Sequence, residues 1–239
     1  MQYYRCCVDI IVLLDDAEQA VREQDAKPKG LLRISLPQNF GQTFIAPLLL
    51  EFQRPYPELE LEMRFSDRTV DIAGEGFDLA IRVTGEVDDH LIARYLCPID
   101  LVCCASPDYL EKQGTLQVPE DLQNHNCLTY SYAGFGENWV FVRGQERTVV
   151  DVSGNVRANN GDVLCQAASQ GMGIALLPEF LAKPFAAAGQ LRPVLEDYEL
   201  ASFGVYAVYS TTARQVNKIR LLLAFLGERL PSMDVNMPH

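Results

Sequence analysis

The segment "ANNGDVLCQAASQGMGIALLPEF", residues 158–180, sets two amides and a glycine (Asn159, Asn160 and Gly161) immediately ahead of a short helical pattern. A helix start exposes unpaired backbone N–H groups and the positive end of a dipole, and Asn amides both donate and accept. That chemistry suits a carboxylate or another oxygen-rich small molecule. Asn, Gly and Asp are equally the ordinary residues of caps and turns. A second polar stretch, Ser66-Asp67-Arg68, reads as another helix start, with a guanidinium able to grip an acid through two parallel bonds. Arg82 ends "DLAIR" and is read either at the mouth of the same region or in an ion pair with Asp78 or Glu86.

Catalytic chemistry is harder to assemble. The histidines are His90, His125 and His239, all in expected loops or the tail, and no carboxylates pair convincingly in the expected loops. Gly171-Met172-Gly173 follows a helix and precedes a strand, the reverse of what phosphate cradling needs, so it reads as a helix stop and a tight turn. No enzyme, cofactor or metal site is expected. The seven cysteines form no C-x-x-C pair, and Cys103 and Cys104 are expected to point to opposite faces of one strand. With 32 acidic against 20 basic residues and a net charge of −12, the chain should repel a phosphate backbone. Its longest apolar runs fall well short of the roughly 20 residues of a membrane span, and no leader pattern opens it, so a cytoplasmic location is expected.

The elements that would position these residues alternate. Residues 4–21 carry apolar side chains at helical spacing, broken by "DAKPKG", and this stripe either packs on another chain or folds back on its own domain. Strands are expected at 31–36, 59–65 and 78–83, a loop at 37–41, a helix at 42–53 that Pro47 either starts or kinks, and a capped helix at 66–76. Two strands joined at Cys97-Pro98 follow, and then the rhythm restarts: short helices at 107–114 and 119–125, a strand at 127–132, and a strand pair turning near 143–145. The chain continues with a helix at 161–170, a strand at 174–178, a helix at 179–189, a strand at 203–210 and a helix near 212–230. Strands alternating with helices imply a parallel sheet with covered faces.

Six stretches in order carry a resemblance: "LLRISLP", "FG…APLLLEFQRPYPELELEM", "VDIAGEGFDLAIRV", "LVCCASPDYLEKQG", "PEDLQNHNCL" and "AASQGMGIALLPEF". From about Leu31 to Leu230 the chain resembles the effector-binding region of LysR-type transcriptional regulators. The N-terminal helix resembles that family's linker helix, while its winged helix-turn-helix has no counterpart in these 239 residues. The resemblance implies an α/β fold of two Rossmann-like subdomains with a cleft between them, like a type 2 periplasmic binding protein, preceded by a linker helix. The divisions it implies are 1–29, then 30–102 with 205–239, and 103–204. It further implies a small-molecule effector, self-association as dimer or tetramer, and DNA contact only through the missing winged domain. A solute-binding receptor of a transport system shares the fold, as would, less readily, an enzyme.

Ligands in open α/β sheets bind beyond the carboxyl ends of strands. On that rule the effector-binding candidates are Gln38, Asn39, Phe40 and Gly41, then Ser66, Asp67 and Arg68, with Arg82, Tyr132, Asn159, Asn160 and Gly161. Tyr130 lies in the same region but is read as core.

Overall fold

The computed structural model describes residues 27–69, 71, 72, 74–85, 91–132, 136–200, 203–210 and 216–232. The expected linker helix and the end of the C-terminal tail lie outside the described residues. Two five-stranded sheets and a small three-stranded one carry the fold. In the first, β1 (Gly30–Leu36) is flanked by parallel β2 (Leu59–Phe65) and β3 (Leu79–Thr84). On the far side of β3 lies antiparallel β13 (Phe203–Tyr209), which in turn pairs antiparallel with the edge strand β4 (Ile92–Ile99).

The second sheet runs β11 (Arg192–Pro193), β5 (Leu101–Ala105), β10 (Ile174–Pro178), β6 (Cys127–Tyr130) and β9 (Arg157–Ala158). The expected all-parallel arrangement is therefore only partly present. Strands β4, β13 and β5 border the passages between the sheets, and each runs against a neighbour. The first passage is Asp100, two residues past the expected break at Cys97-Pro98, because Pro98 is accommodated within an edge strand that can spare an N–H. The expected strand pair is the hairpin β7 (Asn138–Arg143) and β8 (Glu146–Asp151), turning at Gly144 with φ +62°; β12 (Glu199–Leu200) joins it.

Two segments differ from the sequence reading near the cavity described below. "PQNFG" is not a loop: the chain is helical from α1 (Gln38–Phe40) through a π turn over Gly41–Ile45 into α2 (Ala46–Gln53). Pro47, near the start of α2, lacks the N–H an α-helical bond would use, and the wider turn precedes it. The expected helix at 66–76 is absent from the described residues, which run as turns. Asp71 bonds locally instead, its Oδ1 accepting the Gly74 N–H at 3.0 Å, and Gly76 adopts φ +74°.

Helix α3 (Pro107–Gln113) starts at a Ser106 cap, and α4 (Gly161–Ser169), α5 (Glu179–Ala187) and α6 (Asn217–Arg229) complete the covering layers. After α4 the Gly-Met-Gly turn closes through Gly171 and Met172 N–H bonds to Ala168 and Ala167 carbonyls, with Gly171 at φ +77°. A Cβ on Gly173 would lie 2.2 Å from the Asn126 carbonyl oxygen, so this turn needs both glycines.

One large core joins the two halves, containing Leu32, Phe44 and Leu79 together with Leu128, Leu164 and Cys165. A second core is confined to the second half, around Trp139, Phe141 and Leu122. Cys103 belongs to that second core and Cys104 to the shared one, the opposite-face arrangement expected of neighbours in a strand. Burial pushes the thiols of Cys97, Cys127 and Cys165 up to about 12, which keeps them protonated at neutral pH. No described helix is long and apolar enough to cross a membrane.

Candidate functional site

Between the two larger sheets lies a cavity of about 100 Å³. The first half supplies Pro37, Asn39, Phe40, Asp67, Arg82 and Val83, with Ile99 and Phe203 from the strands next to the passages. The second half supplies Tyr130, Tyr132, Gly161, Leu101 and the run Leu176, Leu177, Pro178, Phe180 and Leu181. The lining thus collects at the carboxyl end of β1, of β6 and of β10, as the strand-end rule requires.

Its floor is aromatic. Phe40 stands 4.9 Å from Phe44 and 5.9 Å, edge to face, from Phe180, which also meets Phe44 at 5.2 Å between ring centres. Such T-shaped pairs are favourable beyond the area they bury. They tie α1 and the π turn of one half to α5 of the other.

Arg82 is half-buried on β3. Its guanidinium donates to the Ile81 carbonyl at 2.7 Å and to Ser35 Oγ at 2.8 Å, and forms no ion pair with Asp78. Asp78 instead accepts from the Arg33 backbone N–H and pairs with Lys218. Burial lowers the Arg82 pKa from its usual value, and the negative charges of Asp67 and Glu75 oppose that shift. Asp67 Oδ1 accepts the Gln38 N–H at 3.1 Å, so Asp67 caps the first turn of α1 and not a helix of its own. Its Oδ2 accepts from the Tyr130 hydroxyl at 2.8 Å across the cavity. Burial and then the Asp67 charge hold Tyr130 well above the usual phenol range, so it stays a neutral donor.

A second pair of bonds crosses the cavity at Asn39. Its Oδ1 accepts the Gly161 N–H at 3.1 Å, and its Nδ2 donates to Asp162 at 2.6 Å. Asn160 caps the same helix by accepting the Val163 N–H at 3.2 Å. The Asn-Asn-Gly helix start, read from sequence as carrying unpaired N–H groups, is therefore already served by protein side chains at Gly161 and Val163.

Of the sequence candidates, Asn39, Phe40, Asp67, Arg82, Tyr132 and Gly161 line the cavity. Gln38 contributes only its N–H to Asp67. Gly41 is buried in the helix, where a Cβ would approach Leu36 Cβ to 2.7 Å. Ser66 Oγ accepts the Arg68 N–H, and Arg68 grips both oxygens of Glu75 at 3.0 and 2.9 Å on the surface, since the turns of 66–76 carry it outward. Asn159 is exposed and offers its carbonyl to Tyr130 at 3.0 Å. Tyr130, read from sequence as core, and Leu176, Leu177, Pro178, Phe180 and Leu181, which the sequence did not single out, also line the cavity, because apolar side chains look alike in sequence whether they face a core or a cavity.

Two mixed sheets bridged by crossing strands, with a small cavity between them, define a type 2 periplasmic-binding-protein-like fold of the kind found in regulatory domains of transcription factors. The LysR substrate binding domain profile matches residues 25–231, and the chain belongs to the LysR family, as the ligand-sensing regulatory domain of such a regulator. It is 35% identical over 209 residues to an uncharacterized HTH-type transcriptional regulator of Haemophilus influenzae, covering 87% of this chain and 73% of that protein. It is 34% identical over 216 residues to the HTH-type transcriptional activator TtdR of Escherichia coli strain K12, covering 90% and 68%. Among solved structures it resembles the regulatory domain of CrgA from Neisseria meningitidis, with TM-score 0.72 and 31% identity, over 85% of this chain and 100% of that one. Full-length AphB, the virulence activator of Vibrio cholerae, gives TM-score 0.74 and 26% identity over 96% and 78%.

Proposed function

We propose that the domain binds a small acidic effector in the cavity between the sheets and converts its occupancy into a change in the geometry of a self-associated regulator. The observation that carries this reading is Arg82, a half-buried guanidinium on the cavity wall that has no ion pair among the described residues. A partly desolvated cation on a cavity wall is stabilised by an anion placed in that cavity. A ligand shifts a conformational equilibrium only by its differential affinity for the two arrangements. The bonds of Asn39 and Tyr130 join the halves directly across the space the effector would fill, so occupancy and closure depend on the same atoms.

The halves are taken as 30–102 with 205–239 and 103–204, and the stretch 1–29 as a dimerising linker. DNA contact belongs to a separate winged domain in the cytoplasmic parent protein. The relatives named above are transcriptional regulators, and His125, hydrogen-bonded to the Tyr109 hydroxyl, is not among the residues lining the cavity, so no turnover is expected.

Thermal unfolding of the full chain against small carboxylates, aromatic acids, amino acids and sugar acids tests the reading. A bound ligand at about 100 times its Kd stabilises the fold by about 2.7 kcal/mol. The expected result is such a shift, with the compound unchanged by mass spectrometry, and its loss in Arg82→Gln. A shift of equal size in that variant, or chemical conversion of the compound, would overturn the proposal.

A further inference from the structure

The cavity wall carries an anion as well as a cation. Asp67 lines the same 100 Å³ as Arg82, and its two carboxylate oxygens each accept one hydrogen bond among the described residues, from the Gln38 N–H and the Tyr130 hydroxyl. Each such oxygen accepts two, so Asp67 keeps acceptor capacity beside the cavity. A simple monoacid placed against Arg82 would bring a second carboxylate close to Asp67, and like charges in so small a space repel. A hydrogen-bond donor on the ligand converts that repulsion into a charge-assisted bond. Arg82 and Asp67 line one small space and the Asp67 charge acts on Arg82, so acid and donor lie close together on the ligand.

Resting on the acid-sensor reading, we infer that the effector is a small carboxylate bearing a hydroxyl or amino group next to its acid, with Arg82 taking the acid and Asp67 the donor. Tyr130 accommodates this arrangement. Its one hydroxyl proton reaches both Asp67 Oδ2 at 2.8 Å and the Asn159 carbonyl at 3.0 Å, so a ligand that donates to Asp67 leaves Tyr130 with another acceptor.

Calorimetric titration of the full chain with two matched sets provides the test: propanoate with its 2-hydroxy and 2-amino forms, and succinate with its 2-hydroxy and 2-amino forms. A bond to a charged group sets the expected preference for a substituted member at about tenfold over its parent acid. Asp67→Asn keeps the shape of the side chain and removes its charge, and should bring that ratio close to one. Tyr130→Phe removes the competing donor and should preserve the preference. The substituent that wins identifies the donor as hydroxyl or ammonium. Equal binding of parent and substituted acids, lost together in Arg82→Gln, would overturn the inference and leave the acid sensor standing. A preference that survives Asp67→Asn would also overturn it. Binding of none of the six would overturn it together with the acidic reading of the cavity.

Discussion

The two halves that enclose the cavity bring unlike chemistry to it. The first contributes both ionised side chains, Asp67 and Arg82. The second contributes the tyrosines Tyr130 and Tyr132, a glycine whose N–H is already bonded, and the apolar Leu101, Leu176, Leu177, Pro178, Phe180 and Leu181. Charge fixes orientation and specificity over several ångströms, whereas neutral contacts act only on touching. The difference teaches where the proposed effector site would draw its specificity: the proposal places recognition in the first half and makes the second half a cover whose grip depends on closure. Their cores differ in the same sense: one core joins the halves, and the other belongs to the second half alone.

The strongest way to break that comparison is to damage the private core of the second half. Trp139 is 1% exposed and donates to the Gly136 carbonyl at 3.3 Å. Trp139→Ala should cost about 3–5 kcal/mol of stability in urea unfolding, because a large ring leaves a cavity that its neighbours fill only in part. Calorimetry below the variant's melting range should still find the wild-type preference among acids. Loss of that preference in the folded variant would show that recognition is not localised to the first half.

Asn39→Ala sharpens the comparison at the join. It removes the bond to the Gly161 N–H and the bond to Asp162, both of which cross between the halves. Exposed polar bonds and helix caps are each worth about 1 kcal/mol, so the expected loss of stability is about 1–2 kcal/mol. Acid affinity should fall with it, since the closed arrangement is then less populated before the ligand arrives. Unchanged affinity would mean that the join plays no part in closure.

How legible this was in the sequence varies with the kind of information involved. Alternating apolar segments located most strands and helices, because periodicity is a local signal. The helix at 66–76 was misread for the same reason: capping residues and glycine stops were present, but the acids that resemble caps bond within turns or, in the case of Asp67, cap the distant Gln38. Arg82 is legible as a basic residue at a strand end, either at the cleft mouth or paired with Asp78 or Glu86; Glu86 lies outside the described residues, and Lys218 and the Arg33 N–H occupy Asp78 from far away in sequence. The free look of the Asn-Asn-Gly helix start was lost to Asn39, a residue 122 positions away from Gly161. What the sequence could not express is which donor meets which acceptor once two halves close.

Arg68 and Arg82 give the smallest and most discriminating contrast. Both are arginines of the first half and both were candidates for the effector's acid. Arg68 is bound to Glu75 on the surface, with side-chain exposures of 60% and 34%, while Arg82 is half-buried on the cavity wall. Exposed pairs contribute at most about 1 kcal/mol, so Arg68→Ala should move the melting temperature by no more than a few degrees. It should also leave acid affinity within about twofold of the wild type, because beyond a Debye length of about 8 Å an exposed charge is largely screened at physiological salt. Since Glu75 also supports the charge on Arg82, freeing it from Arg68 should if anything strengthen that support. An Arg68→Ala variant that loses binding as completely as Arg82→Gln would place the acid at the rim and dissolve the division between a charged first half and a neutral cover.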